Sequence, residues 1–282
     1  MDENGRRYIA LMKNVLTDFH RMELGEYQPI RRKDLSWKTQ LFPVLNRVLG
    51  TKGYTICRKI AYEPEQRMFG LDWPAAADTM IGMKRIENLE FCITDVMERN
   101  VEGDFIETGV WRGGATIFMK AMLKALHDTD RTVWAADSFE GLPRPNKEKY
   151  KADEFDEHYK AAELAVSLET VQRNFKKYDL LDDRVKFLKG WFKDTLPTAP
   201  ITKLAIVRLD GDMYESTMDG LVNSYPKLSV DGYLIIDDWN AVQGCKKAVE
   251  DYRAAHGIAE PVIDIDGVGA YWKKEKNISG AT

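Results

Sequence analysis

Short apolar runs alternate with segments of helical periodicity from about residue 100 onward. This pattern predicts a mostly parallel sheet whose strands are joined by crossover helices. Five runs have the length of buried strands. They are DFIETGV (104–110), TVWAAD (132–137), RVKFLKG (184–190), KLAIVRLD (203–210) and GYLIIDD (232–238). The chain is therefore predicted to have an α/β fold.

The segments between these runs carry helix signals. GGATIFMKAMLKAL has one apolar stripe at helical spacing and is predicted to be the first crossover helix. Ser167 is the predicted N-cap of a later helix, and Gly257 the predicted end of another. The tail PVIDIDGVGAYWKK alternates around the turn signal Asp266-Gly267, which indicates a closing antiparallel hairpin.

The first part of the chain has a different pattern. Residues 1–95 contain helix-like segments and no convincing strand, so we expect a helical extension or cap in front of a sheet domain at 96–282. Within the extension, YQPIRRKDLSWK is predicted to be an irregular, basic connector. The segment at about 139–166 is long and charged and contains proline, and we interpret it as a lid.

Acidic residues end several of the predicted strands, at the edge where open α/β sheets bind their ligands. They are Glu107, Asp137, Asp210, Asp212, Asp237 and Asp238. In ETGVWRGG, Gly109 opens a turn, but the spacing is not the G-x-G-x-x-G of dinucleotide sites, and Glu107 would repel a pyrophosphate. A ligand with an ammonium group fits this turn better than NAD. An ordinary strand-to-helix turn is the alternative.

Asp137 lies one βα unit after Glu107, where a carboxylate can accept hydrogen bonds from the cis-diol of a ribose. It could equally cap a turn toward Ser138. Together, Glu107 and Asp137 indicate a binding site for a nucleoside that carries an amino acid. S-adenosylmethionine is such a molecule.

Asp210, Asp237 and Asp238 end neighbouring predicted strands, and strands lie roughly 5 Å apart. Carboxylates at that separation repel one another unless a cation joins them, and an all-oxygen set suits Mg²⁺, Mn²⁺ or Ca²⁺ better than Zn²⁺. Pairing with a basic residue such as Arg208, or helix capping, is the alternative. Asp212 either supports the metal ligands or acts as a general base.

Composition narrows the classes of partner. The 282 residues are 44% hydrophobic and carry a formal charge of −4, which gives no overall basic footprint for nucleic acid. The three cysteines are widely spaced and contain no C-x-x-C pair, so a disulfide framework is disfavoured. No run of 18 uncharged apolar residues occurs, which argues against a membrane span. We expect a cytoplasmic protein.

Four motifs in order, FIETGVWRGG, WAADSFEGLP, RLDGDMYEST and GYLIIDDW, resemble the macrocin O-methyltransferase family of TylF, MycF and NovP type. The resemblance covers residues 75–275. It implies a Rossmann-like class I methyltransferase sheet. It also implies S-adenosylmethionine- and Mg²⁺-dependent methylation of a sugar hydroxyl on a glycosylated natural product, by a homo-oligomer.

The resemblance also implies roles for single residues. Asp210, Asp237 and Asp238 would bind Mg²⁺ and Asp212 would be the catalytic base. The cofactor site would contain Glu107, Gly109, Asp137 and Ser138. Three alternatives stay open at this point: a catechol-type O-methyltransferase acting on an aromatic diol, an NAD oxidoreductase, and a non-catalytic binding or scaffold protein.

Overall fold

The computed structural model describes residues 1–21, 26–29, 41–60, 63–72 and 74–278. The helices are α1 (Glu3–Leu16), α2 (Phe42–Gly50), α3 (Pro64–Phe69), α4 (Met83–Glu98), α5 (Gly114–Ala125), α6 (Leu168–Lys177), α7 (Phe192–Thr195), α8 (Tyr214–Ser224) and α9 (Gln243–His256). The strands are β1 (Glu26–Pro29), β2 (Cys57–Ile60), β3 (Asp104–Thr108), β4 (Val133–Asp137), β5 (Val185–Lys189), β6 (Leu204–Leu209), β7 (Leu228–Ile236), β8 (Ile263–Asp264) and β9 (Ala270–Lys273).

The main sheet has seven strands in the order β5-β4-β3-β6-β7-β9-β8. The strands from β3 to β7 pair in parallel, whereas β9 is antiparallel to both β7 and β8. The predicted mostly parallel sheet with a closing hairpin is confirmed. The chain runs outward from β3 to β4 and β5 and then returns to β6 on the other side. A crevice for ligands is expected at such a reversal.

Side chains of each central strand alternate between two cores. Phe105 of β3 and Ile206 of β6 point into the core formed with α1, α4, α5 and α6. Ile106 and Val207, the next residues, point into the core formed with α8 and α9. Because both faces are covered, the central strands are mostly apolar, and this feature made them visible in the sequence.

Several local signals act as the sequence predicts. Ser167 caps α6 by accepting a hydrogen bond from the Thr170 N–H. Gly257 ends α9 in the left-handed conformation, with φ of 61°. Gly267, with φ of 86°, lies in the turn between β8 and β9. These signals were readable because each depends on residues close together in the chain.

The prediction that residues 1–95 contain no strand is wrong. β1 and β2 pair antiparallel, although about thirty residues separate them in sequence. Each is only four residues long, which is too short to show a clear alternation of polar and apolar residues. β1 also ends in proline, which is uncommon inside strands. β1 overlaps the start of the predicted connector YQPIRRKDLSWK, while residues 30–38 lie outside the described residues. The division of the chain near residue 95 stays a prediction.

The hydrogen-bond ladder continues one residue past the carboxyl ends of the central strands. Three backbone hydrogen bonds carry it: Gly109 N–H to Ala136 O (2.8 Å), Asp210 N–H to Thr108 O (2.9 Å) and Asp237 N–H to Leu209 O (2.9 Å). Gly109, Asp210 and Asp237 therefore lie side by side along the edge of the crevice. The register of the sheet brings residues that are distant in sequence into one row.

Gly109 is the tightest position in this row. Its φ is 82°, and a Cβ built on it would lie 1.8 Å from the carbonyl oxygen of Asp210. Any other residue would clash with the backbone of the neighbouring strand, which has no room to move because both faces of the sheet are packed. Glycine is therefore required where the crevice begins.

We expect Gly109→Ala to destabilise the protein more than Gly267→Ala. Gly267 has a similar φ of 86° but nothing within 4 Å of an added Cβ, so its substitution should cost only the left-handed strain of about 1 kcal/mol. Gly109→Ala adds the clash with Asp210, for a further loss of about 1–3 kcal/mol. Urea unfolding measures both values. Equal free energies of unfolding for the two variants would contradict the crowding at Gly109.

Candidate active site

A buried arginine lies at the centre of the crevice edge. Arg208 is on β6, beside Glu107 of β3 in the register, and is 2% exposed. Its Nη1 donates to Glu107 Oε1 at 2.5 Å and to Asp210 Oδ2 at 3.0 Å. Its Nη2 donates to Oδ1 of Asp237. One guanidinium therefore holds carboxylates from three neighbouring strand ends. The alternative from the sequence, that the aspartates pair with Arg208, is correct for Asp210 and Asp237.

A second arginine reaches the same cluster from α4. Arg85 Nη1 donates to Asp237 Oδ2 at 2.6 Å, and its Nε donates to Asp266 Oδ2 at 2.9 Å. Arg85 was not among the residues selected from the sequence. A signal was present, since Arg85 lies on the stripe of α4 that also contains the buried Ile86 and Leu89. A charged residue on an apolar stripe requires a buried partner.

Asp237 is the most strongly held carboxylate of the cluster. Burial by itself favours the neutral form, but Arg208 and Arg85 overcome it and lower the pKa of Asp237. Both of its oxygens accept from a guanidinium. Asp237 is therefore charged and fixed in one orientation.

Asp238 is in the opposite situation. One oxygen each from Asp210, Asp237 and Asp238 lie within 4.8 Å of one another, and Asp238 Oδ2 is buried with no hydrogen-bond partner in the described chain. Burial and then the charges of Asp212 and Asp210 raise the pKa of Asp238 well above its usual value. Burial and Asp237 likewise raise the pKa of Asp210 to about 6. The two arginines thus leave negative charge uncompensated on one side of the cluster.

Asp212 lies on the loop that joins β6 to α8. Its backbone is left-handed, with φ of 54°, a conformation that aspartate tolerates better than most residues. Burial and the nearby Asp210 raise the pKa of Asp212 to about 7, while His158 of the predicted lid opposes the rise. The Asp212 carboxyl group therefore lies close to the cluster without being paired to Arg208.

A cavity of about 320 Å³ opens beside these residues. Gly109, Asp137 and Ser138 form one part of its wall, and Asp210 and Asp212 another. Trp111 and Trp191 also line it, as do Arg144 and Asn146 from the 139–166 segment. The structure thus brings Gly109, Asp137, Ser138, Asp210 and Asp212 to one cavity, whereas Asp237 and Asp238 are not among the described residues that line it. The predicted lid thus contributes residues to the wall of this cavity.

Asp137 already holds two turns together. Its Oδ1 accepts from the Phe139 N–H at 2.6 Å, and its Oδ2 accepts from the Val110 N–H at 2.7 Å. Ser138 Oγ donates to Gly141 O at 2.6 Å, so it orders the turn that follows. The capping role considered for Asp137 is therefore present. Each carboxylate oxygen has two lone pairs, so the turn contacts leave acceptor capacity toward the cavity.

Glu107 lies behind the cavity wall, outside the set of described residues that face the cavity. It is 2% exposed and accepts from Arg208 and from the Thr116 hydroxyl of α5. Burial raises the pKa of Glu107 to about 7, although Arg208 and Thr116 oppose this. Its observed contacts therefore support the position of Arg208. A direct contact with a cofactor stays a hypothesis.

Two curated proteins are similar to this chain over most of their length. Demethyldecarbamoylnovobiocin O-methyltransferase of Streptomyces niveus is 54% identical over 220 residues, which cover 78% of this chain and 84% of that protein. 8-Demethyl-8-(2,3-dimethoxy-alpha-L-rhamnosyl)-tetracenomycin-C 4'-O-methyltransferase of Streptomyces olivaceus is 52% identical over 212 residues, covering 75% and 81%. Neither name supports the catechol alternative.

A solved structure, that of the O-methyltransferase NovP, superposes on this chain with a TM-score of 0.82 at 46% sequence identity. The match covers 96% of this chain and all of that one. The predicted Rossmann-like methyltransferase fold is thereby confirmed.

The family model described as Macrocin-O-methyltransferase (TylF) matches residues 5–274, nearly the whole chain. The match extends well beyond the four motifs and includes most of the N-terminal segment. The predicted O-methyltransferase activity is confirmed, and an NAD oxidoreductase or a non-catalytic scaffold is not supported. This chain belongs to the macrocin O-methyltransferase family.

Proposed function

We propose that this enzyme transfers a methyl group from S-adenosylmethionine to a sugar hydroxyl of a glycosylated natural product, with a divalent cation, Mg²⁺, at the aspartate cluster. The observation that carries the proposal is that Asp210, Asp237 and Asp238 each bring one oxygen within 4.8 Å of the others, while Asp210 and Asp212 both line one cavity. The two relatives provide the substrate class, because one is named for demethyldecarbamoylnovobiocin and the other for a rhamnosyl tetracenomycin.

Gly109, Asp137 and Ser138 are the residues that we assign to the cofactor. They lie together on the cavity wall at the carboxyl ends of β3 and β4. The remaining acceptor capacity of Asp137 suits ribose hydroxyl groups. The ring of Trp191, which follows β5, suits the adenine. Glu107 would contribute indirectly, because it holds Arg208 in position. S-adenosylmethionine supplies an electrophilic methyl group on a sulfonium sulfur.

The donor set at the cluster fits a hard divalent cation. All candidate ligand atoms are carboxylate oxygens, which Mg²⁺ prefers over nitrogen or sulfur. Asp238 Oδ2 is buried and unpartnered among the described residues, and such an atom is costly unless something binds it. Asp237 would serve as a preoriented anchor, since Arg208 and Arg85 already fix it. A bound cation would act as a Lewis acid and lower the pKa of an acceptor hydroxyl.

Asp212 is the residue that we assign as the general base. It faces the cavity between the proposed cofactor residues and the first turn of α8, and it is not engaged by Arg208 or Arg85. A carboxylate there can accept the proton of the acceptor hydroxyl as the oxygen attacks the methyl group. Trp111 and the 139–166 segment border the same space and would exclude water from the aligned reactants.

The experiment that tests the function is methyl transfer from S-adenosylmethionine to a panel of acceptors, with Mg²⁺ or with EDTA. The panel contains demethyldecarbamoylnovobiocin, the rhamnosyl tetracenomycin precursor and a catechol. We expect transfer to at least one glycosylated acceptor with Mg²⁺, and its loss with EDTA. Transfer only to the catechol would overturn the sugar assignment. Full activity in EDTA would overturn the metal assignment.

We expect Asp212→Asn to lower kcat about 10²–10⁴-fold, because the amide cannot take up the proton. The affinity for S-adenosylhomocysteine, measured by calorimetry, should stay within about twofold because the proposed cofactor contacts are elsewhere. Asp179→Asn is the matched control, since Asp179 has the same φ of 54° and a side chain that is 99% exposed. Near-normal kcat in Asp212→Asn would refute the base assignment.

Some expectations from the sequence remain predictions. They are the homo-oligomer, the cytoplasmic location and the absence of a nucleic-acid partner. Of the helices that the structure describes, none is both long enough and apolar enough to cross a membrane.

A further inference from the structure

Helix α8 begins immediately after the loop that contains Asp212. The residue at its N-cap position is Met213, whose apolar side chain makes no capping hydrogen bond within the described chain. The first N–H groups of a helix have no partner in the helix itself, so they need an acceptor from elsewhere. The loop that contains Asp212 is therefore followed by a helix whose own N-cap side chain accepts no hydrogen bond from its first N–H groups.

Asp153 supplies the missing cap from the 139–166 segment. Its Oδ1 accepts from the Tyr214 N–H at 2.7 Å, and its Oδ2 lies 3.4 Å from the Glu215 N–H. The side chain is 1% exposed. A carboxylate at this end also interacts favourably with the helix dipole. The cap of α8 is thus separated from the helix by about sixty residues of chain.

The residues around Asp153 enclose its carboxylate closely. Gly244, at the start of α9, has no room for a side chain, since an added Cβ would lie 2.3 Å from Asp153 Oδ1. The ring of Tyr150 stacks on that of Tyr214, with centroids 5.2 Å apart. The Asp153 N–H donates to Tyr150 O at 3.1 Å, which closes a tight turn around the cap. α8, α9 and the 139–166 segment therefore meet at this side chain.

The contacts of Asp153 connect two parts of the candidate site. On one side, the same segment supplies Arg144 and Asn146 to the cavity wall. On the other, the Asp212 loop is closed by a hydrogen bond from Met213 N–H to Gly211 O at 2.6 Å. A Cβ built on Gly211 would lie 3.2 Å from Ser216, so the loop runs close against the first turn of α8. Movement of that turn would therefore move the loop that carries Asp212.

We propose that Asp153 is a positioning residue, which joins the 139–166 segment to the first turn of α8 and so couples closure of that segment to the placement of Asp212. The inference rests on the proposed function only for the role of Asp212. The coupling between the segment and α8 is a property of the fold and can be measured without any substrate.

Hydrogen exchange tests the coupling directly. We compare the wild type with Asp153→Ala and with Glu154→Ala, a matched control that removes the same charge from an exposed neighbour in the same turn. Asp153→Ala should speed exchange both in the segment and in the first turn of α8, whereas Glu154→Ala should change neither. Trypsin should also cleave faster at Lys149 and Lys151 in Asp153→Ala. Unchanged exchange at Tyr214 and Glu215 would overturn the proposal.

Kinetics separate positioning from a loss of stability. With demethyldecarbamoylnovobiocin as acceptor, or whichever panel acceptor the wild type methylates, Asp153→Ala should lower kcat at least about tenfold and raise the KM for the acceptor. The affinity for S-adenosylhomocysteine should not change. Asp153→Asn, which keeps an acceptor for Tyr214, should restore part of kcat and provides a folded variant if the alanine form does not fold. Normal kcat in folded Asp153→Ala would overturn the role toward Asp212.

The two possible failures can be told apart. If the wild type methylates no panel acceptor while Asp153→Ala still loosens both elements, the proposed function fails and the coupling stands. If the wild type is active and Asp153→Ala matches it in exchange and kcat, the coupling fails and the function stands.

Discussion

The contact of Arg208 with carboxylates from three strand ends is the interaction on which the site depends. Glu107, Asp210 and Asp237 come from β3 and from just beyond β6 and β7, and without a shared cation they would repel one another in a buried setting. Removing one partner of such a buried set commonly costs about 3–5 kcal/mol. The guanidinium therefore stabilises the edge of the sheet and at the same time orients the proposed metal ligands.

Arg208 does not neutralise the whole cluster. Arg85 adds a second positive charge on Asp237, but Asp238 keeps a buried oxygen without a partner in the described chain. The cluster has more carboxylates than arginines. Partial burial and the neighbouring carboxylates therefore favour the neutral forms of Asp210 and Asp238 and raise their pKa values. Arg208 therefore fixes the cluster, while the unpartnered oxygen of Asp238 is the position at which the proposed divalent cation would bind.

The sequence predicts what depends on local pattern. Continuous apolar runs indicated the buried parallel strands, and acidic residues at their ends indicated the site, because parallel strands share one edge. It could not predict features that arise only when distant segments meet. Arg85 reaches Asp237 across 152 positions and Asp153 caps α8 across 61. The apolar stripe of α4 indicates that Arg85 needs a buried partner, but the residues near Arg85 and Asp153 in the sequence do not indicate which partner each one has. The short β1–β2 pair was missed for the same reason.

A thermal-shift titration with Mg²⁺ on the wild type and on Asp238→Asn tests whether Asp210, Asp237 and Asp238 bind a divalent cation. A ligand at 100 times its dissociation constant stabilises the folded state by roughly 2.7 kcal/mol. If the cluster binds Mg²⁺, the Tm of the wild type should rise in a saturable way and that of Asp238→Asn should not, while S-adenosylmethionine should stabilise both proteins. Equal Mg²⁺ shifts in the two proteins, or no shift in either, would contradict metal binding at the cluster.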